Sequence, residues 1–163
     1  MEKSNEETLK KLKSLIEEVK VCMMITKNEN GRLTARPMSN VKVEEDGSIW
    51  FFTNEYSGVV NQISDKNEVF LTYASPGANS YVALNATATL SDDKTKIDEL
   101  WTPAMNAWFS KGKDDPQILL IHAVPIEAEY WDGSSSKIVL LFNMVKAAIT
   151  GNFTGTDHGK LIV

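Results

Sequence analysis

One cysteine and two histidines are all the soft metal-binding and thiol chemistry this chain carries. Cys22 has no partner for an internal disulfide, and it shows no metal-site spacing with His122 or His158. A disulfide scaffold and a metalloenzyme are therefore not expected, and no metal ligand is assigned. Long apolar runs are missing too: none approaches the roughly twenty residues that span a bilayer. The opening stretch, MEKSNEETLKKLKSLIEEV, is charged and amphipathic and lacks the apolar core of a secretory signal. No membrane association is expected, and a reducing cytoplasm is the expected compartment. Positive charge is in the minority, with 17 Lys and Arg against 22 Asp and Glu for a net charge of −5. Such a surface repels polyphosphate backbones, so nucleic acid is not an expected partner. Neither histidine stands in a recognisable motif with a serine or cysteine nucleophile, so the catalytic residues stay unknown. Chemistry, if there is any, would rest on a bound cofactor.

What is present is a run of short strands. Leu9, Leu12, Leu15, Ile16 and Val19 repeat at helical spacing and predict a helix over about 6–19, with Ser4 or Asn5 available as its cap. From Val21 the period changes. VCMMITK, LTARPMSNVKV, SIWFFTN, EVFLTYAS, YVALNATATLSD and ILLIHAVPIEAEYWD read as strands separated by turn signals. SGVVNQISDKN predicts a short helix capped by Ser57, and DKTKIDELWTPAMNAWF a helix interrupted at Pro103. The β-branched residues near 138–142 favour a further strand, and GTDHGK, holding His158, reads as a surface turn. No repeat or linker divides the chain. One domain over 1–163 is expected, with a barrel over about 21–145 and a C-terminal tail. The class is α+β, mainly β, with an antiparallel barrel and peripheral helices.

Three stretches raise the question of function. In GRLTARPMSN, Pro37 sits mid-strand beside Arg36, which has no acidic neighbour. Arg36 reads either as a solvated strand arginine or as an anion clamp. Pro37 is expected to end the ladder locally and to free backbone groups of Met38 and Ser39 for a ligand. In SIWFFTNEYSG, at least two of Trp50, Phe51 and Phe52 are expected in the core. The run ends in Thr53, Asn54 and Ser57 at a helix start, where hydroxyls and free amides suit phosphate. In ELWTPAMNAWF, Trp101 and Trp108 are seven apart and would share a helix face, either docked on the barrel or, for Trp108 and Phe109, covering a flat aromatic ligand at a subunit interface.

RPMS, WFFTNEYSG, DELW…AWF with GKDDP, and AEYWDG, in this order, resemble the general stress protein 26 group of the pyridoxamine 5'-phosphate oxidase-like, FMN-binding split barrels. The resemblance covers about residues 8–133. It implies a Greek-key split barrel and a homodimer with two FMN sites at the interface. By position it implies that Arg36, Pro37, Met38 and Ser39 lie along the ring and ribityl chain, that Phe51, Phe52, Thr53 and Asn54 continue the site, and that Ser57 reaches the phosphate. Trp108 would come from the neighbouring subunit. The family's phosphate corner commonly reads Ser-x-Lys, whereas here Val59 takes the lysine's place. Losing one charge-assisted contact costs about 1.5–3 kcal/mol, so weakened FMN binding is expected. The implied function is an FMN-binding general stress protein, either a flavin-dependent oxidoreductase drawing electrons from NADH or NADPH or a flavin carrier without turnover. A structural dimer with a decayed site is the remaining alternative. The basic residues that a pyridoxamine phosphate substrate needs are not found.

Overall fold

A computed structural model describes residues 5–133 and 157–162, with side chains over 6–133. Helix α1 (Asn5–Val19) buries Leu12, Leu15 and Ile16 against the barrel and leaves its Lys and Glu outward. It stops at Lys20, which takes a left-handed φ of 65° and donates its N–H to the Ile16 carbonyl. The strands are β1 (Val21–Lys27), β2 (Leu33–Val43), β3 (Ile49–Asn54), β4 (Glu68–Ser75), β5 (Ser80–Ser91), β6 (Ile118–Asp132) and β7 (Asp157–Ile162). They lie in the order β3-β2-β1-β4-β5-β6-β7, and β3 also pairs with β6. That extra pairing closes six antiparallel strands into a barrel. Strand β4 returns beside β1 after the β1–β2–β3 meander, through helix α2 (Gly58–Asp65), which is a Greek-key connection.

Fifteen-residue β6 makes closure possible. Its first half pairs with β3 and its second half with β7 on the same edge, while β5 runs along the other. Alternation sorts the side chains into two cores. Met24, Phe51, Leu71, Tyr73, Val82, Leu84, Ile121 and Tyr130 fill the barrel. On the outer face of β3 and β6, Phe52, Ile118 and Leu120 form a second cluster under helix α3 (Lys94–Leu100) with Ile97 and Leu100. Asp93 caps α3, accepting from the Thr95 and Lys96 amides at 2.9 and 3.4 Å.

Several expectations need correction. Pro37 does not end the ladder: β2 runs unbroken from Leu33 to Val43, with Pro37 opposite Met23. The Asn40 N–H donates to the Lys20 carbonyl at 2.9 Å. Alternation along an antiparallel pair then makes Met38–Cys22 and Arg36–Met24 the hydrogen-bonded pairs and Pro37–Met23 a non-bonded one. Proline's missing N–H therefore faces away from β1, where no ladder bond is lost. Trp101 and Trp108 do not share a helix face, because α3 stops at Leu100 and a 3₁₀ turn over Pro103–Ala107 follows. Trp101 is half-buried and Trp108 is 82% exposed. His158 lies in β7, paired with Trp131, and not in a turn. The Ser4 cap and the strand near 138–142 lie outside the described residues. No helix among the described residues is long and apolar enough to cross a membrane.

The turn between β2 and β3 holds Gly47 at a φ of +83°, with the Leu9 Cδ1 atom 2.8 Å from where a Cβ would stand. The Leu9 methyl can swing aside, so the positive φ sets the cost. Gly47→Ala is expected to lose at least about 1 kcal/mol of stability, read as a lower urea midpoint at unchanged slope.

Candidate functional site

Strands β2 and β3 pair at Val43–Ile49, Lys42–Trp50 and Asn40–Phe51, and there the register slips by one residue, Val41. This is a β-bulge, and beyond it the two strands are no longer paired. From Leu33 to Ser39, β2 is thus an open edge on the side away from β1. By the alternation already described, the Pro37 carbonyl and the Ser39 N–H face that gap. A cleft of about 350 Å³ occupies the split. Pro37, Met38, Ser39 and Val41 of β2 form one wall, Val21 and Phe52 border it, and Met105, Trp108 and Phe109 from the 3₁₀ turn form the other. Phe52, Trp101 and Phe109 stack edge to face behind the cleft, with ring centroids 5.6–6.0 Å apart. Those contacts hold the aromatic wall in place. Among the described residues no titratable side chain lines the cleft.

Arg36 points the other way, to the inner face of β2. One guanidinium nitrogen donates to the Thr26 hydroxyl at 2.7 Å, and the other donates to the Thr34 hydroxyl and to Gln62 Oε1, both at 2.8 Å. A longer contact reaches the Met24 carbonyl at 3.5 Å. Among the described residues no carboxylate pairs with it, and burial alone pulls its pKa below the ordinary arginine value. The group stays charged at neutral pH. It is a half-buried cation held by neutral acceptors.

Gln62 lies on α2, and so does the third part of the site. Asn54 closes β3 and accepts the Tyr56 N–H at 2.9 Å, an Asx turn that launches the helix. Ser57 is the N-cap, with an extended backbone and a hydroxyl that makes no capping bond. The first helical amides therefore have no side-chain partner. From Ser57 to Gln62 the helix rises about 7.5 Å, so the corner and the Arg36 guanidinium lie within the span of one phosphorylated chain. A groove of about 530 Å³ runs along the same helix from Gly58 past Asn61 and Gln62, and Glu29 and Asp65 border it, so their charge opposes an anion at this corner.

The expected residues thus fall into three groups. Pro37, Met38, Ser39, Phe52 and Trp108 meet in the cleft; Arg36 sits on the face of β2 opposite Pro37 and Ser39; Thr53, Asn54 and Ser57 lie at or near the corner. Phe51 and Val59, at 0% and 2% exposed, are in the barrel core and line neither groove nor cleft. Thr26, Thr34 and Gln62 were not singled out from sequence. Thr34 precedes Arg36 by two residues and so shares its face, a signal that strand alternation carries. Gln62 has no such signal. Cys22 is buried, and burial pushes its thiol up to about 12, so it is inert at neutral pH. Among the described residues no cluster suits a metal ion.

A family model described as pyridoxamine 5'-phosphate oxidase like matches residues 7–154. The chain belongs to the pyridoxamine 5'-phosphate oxidase-like family. Solved structures agree on the fold. A general stress FMN/FAD binding protein from Xanthomonas citri is 28% identical, with a TM-score of 0.65, over 81% of this chain and 90% of that one. A protein related to general stress protein 26 from Clostridium acetobutylicum is 22% identical, with a TM-score of 0.69 over 80% and 92%. General stress protein 26 from Bacillus anthracis is 18% identical, with a TM-score of 0.67 over 76% and 93%. No curated protein matches.

His122, the one histidine among residues with described side chains, is outside the cleft. It stacks on Trp50 with centroids 3.9 Å apart, and the Lys96 ammonium sits 5.0 Å from the Trp50 ring. Burial holds the imidazole below its ordinary value of 6.5, against the opposing pull of Asp46 and Glu44. The unfolded chain therefore takes up this proton first as pH falls, and stability drops below about pH 6.5. Thermal unfolding followed from pH 7.5 downward is expected to show a shallower loss through that window in His122→Gln than in the wild type.

Proposed function

We propose that this protein binds FMN at the β2–β3 split, as a general-stress-type member of its family, and that it does so as a homodimer. The observation that carries this reading is an aromatic cleft on one face of β2 beside an arginine, on its other face, that no carboxylate neutralises. The residues fit the group. A flat ring suits the slot between Pro37, Met38 and the Trp108–Phe109 wall. The Pro37 carbonyl and the Ser39 N–H offer an acceptor and a donor to a ring edge that alternates the two. Arg36, the Ser57 hydroxyl and the α2 amides would hold the phosphate. Val59 is core, so no lysine shares that load, and affinity is expected to be about tenfold or more below that of a lysine-bearing corner.

The dimer is supported by the outer face of β1 and β2. Val21, Met23 and Leu33 are 48%, 41% and 69% exposed, and Trp108 shares the cleft with Val21. Such a patch marks an interface. Trp108 borders its own chain's cleft and is exposed enough to cover the partner's as well. FMN would supply electron-transfer chemistry, making the protein a flavin-dependent oxidoreductase fed by NADH or NADPH. A second reading, a flavin carrier or sensor without turnover, is favoured by the absence of any acid, base or thiol lining the cleft.

Titration with the purified protein is expected to quench FMN fluorescence, with riboflavin binding more weakly. Arg36→Gln should weaken FMN about 10- to 100-fold and leave riboflavin little changed. Protein that ignores FMN throughout the micromolar range would defeat the proposal. Anaerobic mixing of the flavin-loaded protein with NADH and NADPH separates the two readings: bleaching of the flavin absorbance supports an oxidoreductase, and its absence a carrier. Light scattering should report a dimer, with Leu33→Glu shifting it toward monomer.

A further inference from the structure

The Arg36 side chain is not held as an ion pair. Its three close acceptors are two hydroxyls and one amide, and the hydroxyls are themselves bound to that same amide. Thr26 Oγ1 stands 2.5 Å from Gln62 Oε1, and Thr34 Oγ1 3.1 Å from it. A guanidinium can only donate, so the hydroxyls accept from Arg36 and donate onward to Gln62. The Gln62 oxygen also accepts directly from Arg36. A closed network results, in which both hydroxyls and the guanidinium donate to one neutral oxygen on α2. It ties the strand that carries the cation to the helix whose N-terminus lies in the same site.

We propose that Gln62 is a specificity-determining positioning residue: its amide oxygen fixes Arg36 against α2, about 7.5 Å along the helix from Ser57, without neutralising it, so that the positive charge stays available to a ligand phosphate. This rests on the FMN reading above. The chemistry turns on a single atom type. A carboxylate at position 62 would reach the same donors with nearly the same shape and would satisfy the guanidinium as a charged pair. An anionic ligand would then meet a neutral ion pair in place of a cation. An apolar residue there would loosen Arg36 but leave its charge intact. The three states can be told apart because a phosphate responds to charge and a neutral flavin does not.

The test is the ratio of FMN to riboflavin affinity, measured by fluorescence quenching in the full-length wild type and in Gln62→Glu, Gln62→Leu and Arg36→Gln, with thermal unfolding to establish that each is folded. Gln62→Glu is expected to lower the ratio about 10- to 100-fold, as Arg36→Gln does, through weaker FMN binding at unchanged riboflavin binding. Gln62→Leu is expected to lower it only a few-fold. Equal losses in the Glu and Leu variants would show that the added charge is irrelevant and would overturn the proposal. So would an unchanged ratio in Gln62→Glu while Arg36→Gln collapses it, an outcome that leaves the FMN site standing. Wild-type protein binding neither flavin, or an unchanged ratio in Arg36→Gln, would remove the anion site itself and the role of Gln62 with it. Should Gln62→Glu not fold, raising the salt concentration on wild type and Gln62→Leu decides the matter. Comparable salt sensitivity of FMN binding in the two supports an unneutralised Arg36 in both, and salt-independent binding in the wild type refutes it.

Discussion

One extra residue in β2 sets up the rest of this structure. With Val41 bulged between Asn40 and Lys42, strands β2 and β3 stay paired for only three registers and then part. Without the slip, the ladder could continue to the end of β3, with Asn54 opposite Met38, and Ser39 would give its backbone groups to β3. A barrel with that seam closed would have no cleft. An open edge inside a barrel is otherwise a liability, since unpaired backbone groups invite pairing with another chain. Pro37 reduces that hazard by removing a donor from the edge, and the aromatic 3₁₀ turn covers part of it. The proline and the bulge are two parts of one device. The bulge makes an edge, and the proline makes that edge unsuitable for a strand while leaving it usable by a smaller partner.

Electrostatics gives the split its polarity. The chain carries a net charge of −5 and so repels anions at long range. Attraction must therefore be local, from a cation that nothing has neutralised. Arg36 meets that condition through neutral acceptors alone, whereas several lysines elsewhere are committed to carboxylates. Lys96 and Lys42 share Glu44 and Glu99 within 3.0–3.4 Å, and Lys113 meets Asp98 at 3.2 Å. Those exposed pairs add little to stability. They do remove positive charge from that surface, while Glu29 and Asp65 border the groove that holds Gly58 and Gln62. Selectivity for position comes from where charge has been cancelled as much as from where it remains.

Much of the fold was legible because alternation and turn chemistry are local. The first six strands follow from a period of two, and the two helices flanking β1 and β4 from helical spacing and turn signals. The inward placement of Arg36, opposite Pro37 and Ser39, and strand β7 were not read from sequence. The aromatic triplet Trp50–Phe51–Phe52 was readable as core on both faces, as Phe51 in the barrel and Phe52 beneath α3 show. What was not legible is what depends on register between strands. The bulge at Val41 leaves no mark in composition, so the gap it opens was credited to Pro37, a residue that sits in an unbroken strand. Gln62 is an ordinary polar position on a short helix until β2 is placed against it. Trp108 looked like the partner of Trp101 because a seven-residue spacing was measured along a helix that Pro103 does not allow to continue.

The two faces of a strand cannot both meet one small rigid ligand. Residues 36 and 37 are adjacent, yet one points to α2 and the other to the aromatic cleft. A simple anion held by Arg36 would leave the cleft empty, and a neutral aromatic seated in the cleft would leave the cation unmatched. Either would use half of the available free energy. A molecule with a flat apolar end and a flexible anionic tail, passing around the open edge of β2, satisfies both at once, and the edge must be unpaired for the tail to pass. This requirement joins the bulge, the proline, the uncharged setting of Arg36 and the helix start into one site. For such a ligand the cleft lining would need no charge of its own: recognition of the tail would fall to the other face of the strand, and the ring would lie in an apolar slot oriented by shape and by two backbone groups.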